Sequence, residues 1–109
     1  MAGAKIVVLY PTPRDSAEFE RRYRDEHTPM VSTANFKGMT KFVASRITGT
    51  ADGSPAPYSR IAELHFPSLD ALKTAASSEG AQRAVAHAIT ISTGGPPVFL
   101  IAEESVTSF

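Results

Sequence analysis

The sequence predicts an α+β domain in which a four-stranded antiparallel sheet carries its helices on one face. Three observations predict it. Strand-like runs fall at 4–10, 39–48, 58–66 and 98–102, with helical stripes after the first and after the third. A chain of 109 residues with 42% hydrophobic side chains is long enough for one modest core and too short for two, so 1–109 reads as a single domain. No cysteine is present, so neither a disulfide nor a thiolate-bound metal can take the place of that core.

The elements follow in order. AKIVVLY at 4–10 is rich in β-branched residues and is closed by Pro11 and Pro13, which predicts a strand covered on both faces. Asp15 with Glu18 three residues on is a carboxylate form of the capping box, and it predicts a helix over 16–27. Phe19, Tyr23, His27 and Met30 share one side of it, while Glu20, Arg21, Arg24 and Asp25 look outward. Pro29 cannot sit inside a helix without breaking it, so a kink is expected near Thr28, followed by loose chain to Gly38.

In 39–48, Val43 and Ile47 take one parity and Phe42, Ala44 and Arg46 the other. The loop GTADGSPAP at 49–57 turns the chain back into 58–66, where Ala62, Leu64 and Phe66 oppose Ser59, Ile61, Glu63 and His65. Ser68 is a natural cap for a stripe of Leu69, Leu72, Ala75 and Ala76, which pauses at Ser77, Ser78 and Gly80. The small residues Ala81, Ala84, Val85, Ala88 and Ile89 then let a helix lie close on the sheet, and TGGPP ends it before the strand VFLIA.

Strand, helix, strand, strand, helix, strand is the ferredoxin-like split βαβ order. Its sheet has one face without helices, here carrying Val43, Ile47 and Ile61 beside Glu63 and His65. A mixed patch of that kind is most simply buried against its own copy, which predicts a homodimer through the uncovered sheet face.

Eleven basic and eleven acidic side chains cancel, which leaves no broad positive field to draw in nucleic acid or an anionic membrane. The apolar run 6–9 is far shorter than a signal or spanning segment, so the chain reads as cytoplasmic.

The reactive side chains concentrate in RRYRDEHTP. Tyr23 and His27, four apart, place a phenol and an imidazole one above the other on the sheet-directed side of the helix, where His27 can act as acid or base and Tyr23 can polarise a ligand oxygen. Alternatively, both simply pack, His27 capping helix carbonyls. Glu63 and His65 read as a polar patch at the dimer face and not as a metal site, and His87, among alanines, is assigned no role. Thr93–Pro96 runs from helix to strand, the reverse of a phosphate loop, and no serine stands in a GxSxG elbow. No cofactor and no metal is called for.

The VVLYPTP opening, Phe19 and Tyr23, the spacing Tyr23-xxx-His27-x-Pro29, the ELHFPSLDAL junction and the TGGPP turn resemble the EthD family of dimeric α+β barrel proteins, named for ethyl tert-butyl ether degradation. The resemblance implies a two-fold dimer whose Tyr23 and His27 face a cavity for an apolar or aromatic, oxygen-containing metabolite of a catabolic pathway. Val7, Leu9, Phe19, Ala62 and Leu64 would line it. It implies a cofactor-free isomerase, lyase or cyclase, or monooxygenase, or alternatively a non-catalytic carrier serving an oxygenase. The histidine that related cyclases place early in the second helical region is replaced here by Ser77, Ser78 and Glu79.

Overall fold

A computed structural model describes residues 3–109. Strands β1 (Ala4–Pro11), β2 (Lys41–Arg46), β3 (Tyr58–Phe66) and β4 (Val98–Glu103) form one sheet in the order β2-β3-β1-β4, every neighbouring pair antiparallel. Helices α1 (Ser16–Arg22), α2 (Leu69–Ala76) and α3 (Glu79–Ile91) pack on one face, which gives the ferredoxin-like arrangement. Asp15, Ser68 and Ser78 cap the three helices, each side chain accepting an N–H from three residues on. Among the described residues no helix is long and apolar enough to cross a membrane.

The register sorts the side chains. Ile6 lies opposite Leu64 and Val8 opposite Ala62, and these form the helix-covered face together with Ala4, Tyr10 and Phe66. Val7 lies opposite Glu63 and Leu9 opposite Ile61, on the face that bears no helix. The expectation that the first strand is covered on both sides is therefore corrected: Lys5, Val7 and Leu9 are half-buried, while Ala4, Val8 and Tyr10 are buried. A run without alternation does not reveal that only one of its faces meets a helix.

The first helix also departs from expectation. It is α-helical only to Arg22. Tyr23–His27 then forms one wide π turn, and Thr28–Met30 a 3-10 turn. Pro29 is the physical reason, because its ring would collide with the carbonyl four residues back and it has no N–H to donate. Widening the turn lets both the amide N–H and the hydroxyl of Thr28 donate to the Tyr23 carbonyl, the hydroxyl at 2.8 Å. Single π turns inside helices recur at functional sites.

At the other end of the sheet, the TGGPP turn crosses β1 closely. A Cβ on Gly94 would run into the Thr12 carbonyl, and Gly95 has a φ of 140°, so both glycines are required by the backbone.

Candidate functional site

Tyr10 ends the helix-covered side of β1 and is fully buried beneath the π turn. Its ring meets Phe19 and Tyr23 edge-on, at centroid separations of 5.4 and 5.5 Å. Its hydroxyl lies 3.3 Å from Nε2 of His27. The other nitrogen of His27, Nδ1, lies 3.0 Å from Nδ1 of His87 on α3. The two rings are within 7° of parallel with centroids 5.2 Å apart, a separation that fits rings meeting edge to edge along this contact and not lying on each other's faces. Nε2 of His87 reaches Oε1 of Glu26 at 3.3 Å, and Arg22 Nε donates to the same oxygen at 3.0 Å. A continuous chain thus runs from a buried phenol through two imidazoles to a carboxylate at the surface.

Tyr10 and His27 are the polar members of an otherwise apolar cavity of about 40 Å³, completed by Ile6 and Val8 of β1, Ala62 and Leu64 of β3, and Ala84 and Ala88 of α3. Val85 and Phe99, both exposed, stand on its rim. Space of that size takes two or three water-sized groups, so a larger molecule would enter with one end only.

Burial first, and His87 second, hold the His27 imidazole down to a pKa of about 4, so it is neutral near pH 7. Burial likewise raises the Tyr10 hydroxyl, while Arg22 and His87 hold the Glu26 carboxyl below its ordinary range. The neutral imidazole has a consequence for stability. In the unfolded chain His27 takes up a proton near pH 6.5, and in the folded chain only near pH 4, so its contribution is complete above 6.5 and is lost as the pH falls toward 4. That loss should reach about 3 kcal/mol. Urea unfolding at pH 7 and pH 4 checks it: His27→Gln should lose about 3 kcal/mol less than the parent, and equal losses would show that His27 is not held neutral.

Tyr23 is placed beside His27, ring centroids 5.8 Å apart, but it does not line the cavity. It packs between Phe19 and Tyr10, with the Arg60 guanidinium 4.9 Å from its ring centroid. Burial pushes its hydroxyl up to about 12, and that oxygen meets no hydrogen-bond partner among the described residues. Of the two tyrosines beside His27, it is thus Tyr10, and not the expected Tyr23, that lines the cavity. Of the expected lining residues, Ala62 and Leu64 are present; Val7 and Leu9 point to the opposite face, where their even-numbered neighbours Ile6 and Val8 do not. Phe19 lies outside this cavity and instead edges a wider cleft of about 380 Å³ with Arg46 and Ser59.

Tyr10 and His87 were not anticipated as a pair. A signal for Tyr10 was its parity with Ile6 and Val8. For His87 it was the three-residue step from Ala84, which turns it toward the first helix. On the uncovered face, Lys5 Nζ bonds Glu63 at 2.7 Å and His65 Nδ1 lies 3.0 Å from Glu104, so Glu63 and His65 belong to a four-residue polar cluster.

Comparison with known proteins places the chain in a family. A family model described as the EthD domain matches residues 12–89. An uncharacterised 11.0 kDa protein from the thcB–thcC intergenic region of Rhodococcus erythropolis is 30% identical over 103 residues, which is 94% of this chain and 96% of that one. A crystal structure of an ethyl tert-butyl ether degradation family protein from Bacillus halodurans superposes with a TM-score of 0.84 at 23% identity, covering 96% of this chain and all of that one (100%). A dimeric ferredoxin-like protein from Jannaschia superposes at 0.70 with 18% identity over 95% of this chain and 99% of its own. SnoaB, a cofactor-independent oxygenase from Streptomyces nogalater, superposes at 0.64 with 12% identity over 100% of this chain and 97% of its own. At these identities the structures establish the fold.

Proposed function

This chain belongs to the EthD family, and on that premise we propose that it is a homodimeric small-molecule protein whose His27 exchanges a proton with an apolar or aromatic, oxygen-containing metabolite of a catabolic pathway. The observation that carries the reading is the meeting of a neutral imidazole and a phenol at the end of an otherwise apolar cavity. Apolar walls with a few convergent polar groups are the usual make-up of a small-molecule site.

The same chemistry limits the reaction. An acid–base residue typically contributes about 10²–10⁴-fold, which suits an activated C–H or O–H bond and not an inert ether C–O bond. Isomerisation, lactone rearrangement or deprotonation ahead of attack by oxygen fit that limit, and the fold's similarity to a cofactor-independent oxygenase is consistent with the last. The dimer would close the uncovered sheet face, where Val7, Leu9, Val43 and Ile61 lie half-buried around the polar cluster.

Native mass spectrometry of protein purified from its own host tests both parts. The expected species is twice the chain mass with an oxygen-containing molecule retained. A bare monomer at micromolar concentration would overturn the proposal.

A further inference from the structure

We infer that Glu26 and His87 are positioning residues that lock His27 in the tautomer with a bare Nε2 toward the cavity, so that the site selects molecules able to donate a proton. This rests on the reading of His27 as the proton-handling group and adds the class of molecule it accepts.

Glu26, held as a carboxylate by Arg22, can only accept, so the nitrogen that faces it, His87 Nε2, carries a proton. In a neutral imidazole that leaves His87 Nδ1 as an acceptor. His27 Nδ1, 3.0 Å away, must then be the donor, and His27 Nε2 is left with its lone pair. The groups facing His27 are Tyr10 from β1, Tyr23 from its own turn and His87 from α3. Of these, only Tyr10 lies near Nε2, and its hydroxyl donates there at 3.3 Å. The Tyr10 hydroxyl, His27 Nδ1 and His87 Nε2 each have an acceptor in this arrangement. His87 does not line the cavity whereas Tyr10 does, so the Nε2 edge is the one a ligand meets.

A lone pair beside a rotatable O–H has a definite complement: a phenolic or enolic hydroxyl, which donates to Nε2 while its oxygen accepts from Tyr10. An ether or ester oxygen offers nothing to Nε2. When the ligand's proton moves to Nε2, the Nδ1 proton can pass to His87 Nδ1 and the His87 Nε2 proton to the Glu26 carboxylate. One proton then leaves the cavity for the surface, the ligand keeps the bonding electron pair as an oxyanion, and each imidazole ends neutral.

Nitrogen-15 NMR of histidine-labelled protein near pH 7 reads the tautomers directly, and three histidines make assignment by substitution simple. The expected pattern is a protonated Nδ1 and bare Nε2 for His27, and the reverse for His87. His87→Leu and Glu26→Ala should release His27 to the other tautomer, while His87→Gln, whose side-chain oxygen can still accept from Nδ1, should preserve it. A protonated His27 Nε2 in the parent, or a pattern indifferent to His87→Leu and Glu26→Ala, would overturn the lock. As probes, phenol should perturb the His27 Nε2 resonance and bind about fivefold more tightly than anisole, the worth of one hydrogen bond. An equal response to the two, or a response to neither, would overturn the ligand class. The tautomers are read without any host ligand, so failure here and failure of the mass measurement are separate results.

Discussion

His27→Gln is expected to lower turnover of the molecule recovered with the protein by about 10²–10⁴-fold, whereas Tyr23→Phe should leave turnover unchanged and raise stability by about 1 kcal/mol. Glutamine fills much of the imidazole's volume and can still bond to Tyr10, but it cannot hold a proton, so the loss should appear in kcat more than in KM. Tyr23 stands in the aromatic cluster with a buried hydroxyl that meets no partner among the described residues, so deleting that oxygen removes a desolvation penalty and no interaction with the cavity. Steady-state kinetics and urea unfolding of the two variants decide the matter. Full turnover in His27→Gln would sink the acid–base role, and a turnover loss in Tyr23→Phe would return the donor role to Tyr23. A molecule that the parent holds equally from pH 5 to 8 and never converts would mark the chain as a carrier for another enzyme.

Those contrasting expectations for neighbouring residues show what could be read in the sequence. Parity in β3 placed Ala62 and Leu64 toward the helices, and a helical stripe turned Phe19, Tyr23 and His27 toward the sheet, because both periodicities are local properties of the backbone. Strand β1 was harder. VVLY is apolar at every position, so nothing local says which of Val7 and Val8 meets a helix; pairing with the alternating β3 decides it, and that pairing is a long-range fact. The π turn was foreshadowed only as a break near Pro29. Whether the chain there ends, kinks or widens depends on what the Tyr23 carbonyl can bond, and Thr28 supplies two donors.

The Tyr10–His27–His87–Glu26 chain illustrates the same boundary. Its members come from β1, the π turn and α3, and their meeting depends on how closely α3 approaches, which the small side chains Ala84 and Ala88 permit. A histidine among alanines looks idle when only its own helix is considered. Set against the first helix, it becomes the group that takes up the second nitrogen of His27.

Tyr10 is where the fold and the site depend on the same side chain, and two substitutions separate its roles. Tyr10→Ala should cost about 3–5 kcal/mol, since it empties a fully buried position against Phe19, Tyr23 and His27. For a domain of this size that is a large part of the total stability, so the variant is expected to be mostly unfolded or to melt far below the parent. Tyr10→Phe keeps the ring and its edge contacts and removes only the hydroxyl, at a cost of about 1 kcal/mol. The folded Tyr10→Phe protein should therefore still protect His27 from protonation, because the burial that depresses it is retained, and it should keep the preference for phenol over anisole, which rests on Nε2, while binding both more weakly for want of a donor to their oxygen. Thermal unfolding and the His27 titration, measured on both variants, test the division. A Tyr10→Phe protein as unstable as Tyr10→Ala would mean that the hydroxyl, and not the ring, holds the π turn onto β1. A His27 that titrates near its ordinary value in Tyr10→Phe would mean that the phenol excludes water from the imidazole as well as bonding to it.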